Sequence, residues 1–98
     1  MGAEKAVKHG ISMNIAGGTH HAFSNKGEAF CLLYDQTIAA KYLINNKKIN
    51  KILIVDLDVH QGNGTASIFK SNKKVFTFSM HGAKNFPFKK EKVTLILN

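Results

Sequence analysis

Acidic and imidazole side chains alternate at the end of an apolar run at residues 52–64, ILIVDLDVHQGNG. Because successive side chains of a strand point to opposite faces, Asp56, Asp58 and His60 share one face. An aspartate oxygen and a histidine nitrogen two residues apart can bind one cation, and this pair of donors suits zinc. Two protein ligands leave a catalytic zinc site incomplete, because such sites usually take three and a water. A hydrogen-bonded turn that caps the following helix explains the motif equally well.

A pair of adjacent histidines, His20 and His21, favours the chemical interpretation. A single histidine is more often structural than catalytic, but two in succession after Gly17-Gly18 are harder to explain by packing. Imidazoles beside a bound cation can serve as general acid and general base. The two segments together therefore predict acid–base chemistry next to a metal ion.

The hydrophobic pattern predicts that helices and strands alternate along the chain. The expected elements are a helix over 1–9, a strand over 12–16, a helix from Asp35, as N-cap, to about Asn46, a strand over 51–57 covered on both faces, a short helix over 65–69 and a strand over 74–80. This order is typical of an α/β fold with a parallel sheet. Ligands of such sheets collect beyond the carboxyl ends of the strands, so segments 17–21, 56–60 and 79–81 are expected to converge there.

The composition limits the possible functions. Ninety-eight residues fit one small domain with a thin core, so we expect a piece of a larger α/β domain. The net charge of +8 comes from dispersed lysines without any arginine, which disfavours nucleic-acid binding. The single cysteine, Cys31, favours a reducing compartment, and nothing resembles a signal peptide or a membrane span. A cytoplasmic protein without a membrane partner is the expectation.

Several motifs, in order and at compatible spacing, resemble the histone deacetylase superfamily. They are GGTHHAF (17–23), Phe30-Cys31, ILIVDLDVHQGNGTA (52–66) and VFTFSMHG (75–82), and the resemblance spans roughly residues 10–88. The superfamily includes acetoin-utilisation and acetylpolyamine amidohydrolase-like enzymes, and the chain is most similar to the class IV-like bacterial branch. The resemblance implies a three-layer parallel-sheet arginase/deacetylase-like fold, of which residues 1–98 would form a partial domain.

The resemblance also implies a role for each motif residue. Asp58 and His60 would bind Zn²⁺, and His20 and His21 would activate the water and protonate the leaving amine. Asp56 would orient His20 and help to bind a structural K⁺, to which Ser79 would also contribute. Phe30 would form one wall of the acyl-lysine tunnel and Phe86 or Phe88 the opposite wall. Gly18 would let the substrate approach the backbone closely.

The chain departs from the family pattern in two ways. Asn63 stands where many members have an aspartate, so we expect His21 to remain neutral more readily and to act as the base. The third zinc ligand, an aspartate, and the tyrosine that stabilises the transition state lie downstream of every matched motif. The missing C-terminal half would then be supplied by another chain, or it would be absent.

The last residues, 92–98, do not follow the acidic pattern that family members tend to have there. One set of codons for this tail, read one base out of register, encodes Asp-Phe-Asp-Ile-Glu. We therefore hypothesise a frameshift within the lysine codons at 89–92, while an ordinary strand over 93–97 is the alternative.

The sequence thus favours a zinc-dependent deacetylase that acts on acetyl-lysine or on an acetylated amine such as a polyamine. The alternative is a truncated, non-catalytic fragment that retains some metal binding. A basic binding module ranks last. A dinuclear, arginase-like site would need another carboxylate after His60, where Gln61-Gly62 stands.

Overall fold

A computed structural model describes residues 2–29, 31, 33–92 and 95–97 of the chain. The elements in chain order are α1 (Gly2–His9), α2 (Asp35–Asn46), β1 (Ile52–Asp56), α3 (Asn63–Phe69), β2 (Val75–Met80) and β3 (Leu95–Leu97). No helix among these residues is long and apolar enough to cross a membrane.

The three strands form one parallel sheet in the order β1-β2-β3. In the register of β1 and β2, Ile52 lies opposite Val75 and Asp56 lies opposite Ser79. The chemically important ends of these two strands are therefore neighbours. The predicted α/β fold with a parallel sheet is confirmed.

The hydrophobic core lies between one face of the sheet and the helices α2 and α3. Ala40, Phe69 and Val75 are its buried centre, and four isoleucines pack around them: Ile44, Ile52, Ile54 and Ile68. The opposite face is open, since Leu53 and Val55 are 64% and 51% exposed. The prediction that this strand is covered on both faces is therefore wrong for this chain, because described helices pack on only one side.

The predicted strand over 12–16 is also wrong. These residues form neither helix nor strand, and Met13 and Ile15 are almost fully exposed. A strand needs the ladder of a neighbouring strand, and no such pairing with this segment exists within the described residues. The β-branched and apolar residues of this segment are therefore not sufficient to make it a strand.

The helix predictions are confirmed with small shifts. The first helix ends as expected, because Gly10, with φ +92°, donates its N–H to the carbonyl of Ala6 at 2.7 Å. The second helix has the expected bounds, but Tyr34 is its N-cap and Asp35 is its first residue. The carboxylate of Asp35 is therefore free to bind another segment.

Candidate active site

The three predicted segments meet at the carboxyl ends of β1 and β2. The rings of His20 and His21 are both buried, with centroids 4.1 Å apart. The ring of His60 lies 6.4 Å from that of His21. The structure therefore brings the histidine pair and the Asp58–His60 pair to one edge of the sheet.

A carboxylate holds the first histidine of the pair. His20 Nδ1 lies 2.6 Å from Asp56 Oδ2, and the other oxygen of Asp56 accepts the backbone N–H of Asp58 at 3.0 Å. The hydrogen bond with Asp56 raises the pKa of His20 above 6.5, although burial opposes the shift. Gly62 permits the arrangement, because a Cβ there would lie 2.4 Å from Asp56 Oδ2. His20 is thus disposed to carry a proton.

An amide holds the second histidine. His21 Nδ1 lies 2.7 Å from Asn63 Oδ1, and both side chains are buried. Asn63 sits at the start of α3, immediately after the Gly62 turn. The two imidazoles therefore have different partners, one charged and one neutral, and this difference separates their chemistry.

The donor atoms of Asp58 and His60 are suited to one cation. Asp58 Oδ1 lies 3.1 Å from His60 Nδ1, and the side chains are 49% and 44% exposed. Tetrahedral ligands about 2.0–2.1 Å from a zinc ion lie about 3.3 Å from each other, so this spacing fits two zinc ligands. The backbone N–H of His60 also donates to Asp58 Oδ1 at 2.8 Å and, as the largest cause, lowers the pKa of that carboxyl group. Among the described residues, no third histidine, cysteine, aspartate or glutamate completes a metal-binding group.

A cavity of about 430 Å³ lies beside these groups, lined by His21, Ala29, His60 and Phe86. The ring of Phe86 meets that of His21 edge-on at 5.2 Å, whereas Phe88 is 87% exposed. Of the two phenylalanines left open by the sequence, Phe86 is the one at the cavity. Phe30 lies outside the described residues.

The other predicted residues surround this centre. Ser79 is buried next to Asp56 in the sheet, and its hydroxyl is hydrogen-bonded to His81 Nδ1 at 2.7 Å. Burial, with a contribution from the charge of Lys90, lowers the pKa of His81. Gly18 is exposed, and its N–H donates to Asp35 Oδ2 at 2.7 Å. Gly18 therefore belongs to the loop that carries the histidine pair.

Sequence reasoning missed three contributors to the site. Asp35 binds the loop before the histidines through Gly18 and Thr19, Gln61 binds the backbone of Glu91, and Glu28 binds Asn63. Each contact joins residues at least 16 positions apart, so no local motif marks it. The only signal in the sequence was a polar side chain close to a recognised motif.

Comparison with known proteins gives the family. The model of the histone deacetylase domain matches residues 2–96. An uncharacterized protein of Picosynechococcus sp. is 52% identical over 95 residues, covering 97% of this chain and 32% of that protein. Histone deacetylase 2 of Arabidopsis thaliana is 31% identical over 88 residues, covering 90% of this chain and 23% of that protein.

A crystal structure of an HDAC homolog from Aquifex aeolicus is similar to this fold. It aligns with a TM-score of 0.81 and 30% identity over 98% of this chain and 29% of that chain. The chain thus spans about a third or less of the relatives that it matches. The sequence match over nearly its whole length and the shared fold agree, and the chain belongs to the histone deacetylase family.

Proposed function

We propose that this chain carries the acid–base half of a zinc-dependent deacetylase, acting on acetyl-lysine or on an acetylated amine. One observation carries the proposal: two adjacent, buried imidazoles have unlike partners, and one of them, His21, lines the same cavity as His60. Asp58 and His60 would hold zinc, which would polarise the acyl carbonyl and lower the pKa of water. Asp56 and Ser79 would contribute to a K⁺ site.

The unlike partners assign unlike roles to the histidines. His21, which meets a neutral amide, accepts a proton at Nε2 as water oxygen attacks the carbonyl carbon of the substrate. His20, whose pKa the hydrogen bond with Asp56 raises, donates its Nε2 proton to the amine nitrogen as the carbon–nitrogen bond breaks. Acetate and a free amine leave. Phe86 would form one wall of the channel through which the substrate enters. Phe30 and Gly18 would also contact the substrate.

A second candidate function is a non-catalytic, metal-binding fragment. It is favoured by the half-exposed Asp58 and His60 and by the lack of a third ligand within the described part of the chain. In the deacetylase proposal, residues outside these 98, on this or another polypeptide, would supply that ligand and the rest of the domain. The protein would be cytoplasmic, as expected from the single cysteine.

Zinc binding and amidase activity distinguish the two functions. We expect the 98-residue chain to bind zinc weakly by titration calorimetry, and Asp58→Ala or His60→Ala to abolish binding. His9→Ala is the matched control, because His9 is an exposed residue at the end of α1. Zinc binding that survives both site substitutions would contradict the assigned ligands.

For activity, the chain is mixed with a polypeptide corresponding to the remaining two-thirds of the Picosynechococcus relative, and an acetyl-lysine fluorogenic peptide is the substrate. Activity that requires both polypeptides and is lost with His21→Ala is the expected result. Zinc binding without any activity in the mixture would favour the non-catalytic fragment. Activity that survives His21→Ala would show that another group is the base.

A further inference from the structure

Behind the second histidine, a carboxylate binds the amide that takes the place of the family's usual aspartate. Asn63 Nδ2 donates a hydrogen bond to Glu28 Oε2 at 3.0 Å, while Asn63 Oδ1 lies 2.7 Å from His21 Nδ1. The three side chains are therefore linked by successive hydrogen bonds, from the carboxylate to the amide to the imidazole. We propose that Glu28 is a positioning residue that fixes the orientation of the Asn63 amide and, through it, the tautomer of His21.

An asparagine alone cannot specify a histidine tautomer, because its amide can present either oxygen or nitrogen to the ring. An ionised carboxylate only accepts hydrogen bonds, so the group of Asn63 that faces Glu28 must be Nδ2. The group that faces His21 must then be Oδ1, which also only accepts. His21 consequently donates from Nδ1–H, and the lone pair of the neutral ring is at Nε2.

An independent contact at the other end of the amide requires the same orientation. The backbone N–H of Gly64 donates to Asn63 Oδ1 at 3.1 Å. A flipped amide would set Nδ2 against this N–H and Oδ1 against the Glu28 carboxylate, so two hydrogen bonds would become contacts between like groups. Both ends of Asn63 therefore favour one arrangement.

The backbone that carries this carboxylate is itself held by hydrogen bonds. Glu28 and Cys31 exchange two hydrogen bonds, from Glu28 N–H to the Cys31 carbonyl at 3.0 Å and from Cys31 N–H to the Glu28 carbonyl at 2.9 Å. The side chain of Glu28 is partly buried. This bridge holds the backbone of Glu28 in place, and the hydrogen bond to Asn63 brings its side chain to the start of α3.

The consequence for the reaction rests on the proposed function. A base that accepts a proton at Nε2 must carry its own proton on Nδ1, and Glu28 selects that tautomer without placing a negative charge next to the ring. His20, by contrast, contacts the carboxylate of Asp56 directly. The intervening amide therefore keeps the negative charge of Glu28 away from one ring of the pair, whereas the other ring contacts a carboxylate directly.

The tautomer is measured in long-range ¹H–¹⁵N spectra of the histidine rings, recorded on the full chain over a series of pH values so that the neutral rings are observed. We expect His21 in the wild type to carry its proton on Nδ1. Glu28→Gln permits the flipped amide, and we expect the Nε2–H form of His21 to rise about tenfold, the ratio for loss of one hydrogen bond to a charged group. His20 is an internal reference, because its bond to Asp56 is unchanged.

Two control variants separate this role from a general loss of structure. Glu4→Gln makes the same chemical change at a half-exposed glutamate of α1, which pairs with Lys47 and has no contact with Asn63, and should leave the His21 tautomer unaltered. Asn63→Asp gives the ring a direct carboxylate, so adding Glu28→Gln to that variant should have no further effect on the tautomer. Circular dichroism checks that each variant is folded.

A wild-type His21 with its proton on Nε2, or with the tautomer mixture of a free histidine, would overturn the proposal. So would a Glu28→Gln spectrum that matches that of Glu4→Gln. The measurement needs neither zinc nor substrate. A chain without activity or zinc binding but with a Glu28-dependent tautomer would therefore remove the proposed function and leave the role of Glu28 intact.

Discussion

Gln61 joins the loop that carries Asp58 and His60 to the segment that contains Phe86 and Glu91. Its side chain is 0% exposed, and its amide makes two hydrogen bonds to one residue. Nε2 donates to the carbonyl of Glu91, and the N–H of Glu91 donates to Oε1, each at 2.8 Å. Phe86, which contacts His21, lies on the same returning segment. Removal of this amide should therefore loosen the wall of the cavity.

The expected magnitude for Gln61→Ala follows from the groups left without partners. Two backbone groups of Glu91 lose their hydrogen bonds, at about 1–3 kcal/mol for each fully buried group. Glu91 is only partly buried, so the lower end applies and the pair contributes about 2 kcal/mol. The space left by the side chain adds about 1 kcal/mol, for a total near 3 kcal/mol. The melting temperature should fall by at least about 12 °C for a chain of this size.

Thermal and urea unfolding followed by circular dichroism measure this effect, with the exposed Asn50→Ala as the control substitution. Gln61→Glu separates hydrogen bonding from packing, because it keeps the length and one acceptor but sets an oxygen against the carbonyl of Glu91. We expect it to be destabilised at neutral pH and to recover when the carboxyl group is protonated. A midpoint for Gln61→Ala within error of that for Asn50→Ala would refute the reasoning.

Further predictions concern the loop before the histidine pair, the core and the tail. Burial alone would raise the pKa of Asp35, but hydrogen bonds, among them those from Gly18 and Thr19, outweigh burial and lower the pKa below 3.8. The contribution of Asp35 to stability is therefore present above that pH and is lost as the pH falls through the pKa of Asp35 in the folded chain. Asp35→Asn should make the stability of the chain less dependent on pH in this acid range. Gly17→Ala should destabilise the chain by at least about 1 kcal/mol in urea unfolding, because φ is +107° and the new Cβ would lie 2.1 Å from Asp35 Oδ2. In the same assay, Val75→Ala in the core should cost about 2 kcal/mol and Val55→Ala on the open sheet face well under 1 kcal/mol. Sequencing the gene tests the frameshift at 89–92: a stop codon in frame, with no deacetylase-like coding sequence in another frame beyond it, would refute it.

The sequence determined the elements whose signals are local. The apolar, β-branched runs before Asp56 and Ser79 became parallel strands β1 and β2. The helical spacing of apolar residues, together with the polar residues at either end, predicted the helix at residues 35–46. Because the ends of parallel strands share one edge, the sequence was also enough to place the ends of β1 and β2 side by side. The histidine pair lies at the same edge as predicted, but the strand over 12–16 on which that prediction relied is not formed.

The tertiary structure decided what depends on a partner distant in the chain. Whether 12–16 forms a strand depends on a neighbour to pair with, and whether Leu53 is buried depends on a second covering layer; neither property belongs to the segment itself. Glu28 reaches Asn63 across 35 positions because a turn and a helix start happen to face each other. Local patterns encode which face and which edge a residue occupies, but only the packed chain determines which polar groups lie within hydrogen-bonding distance.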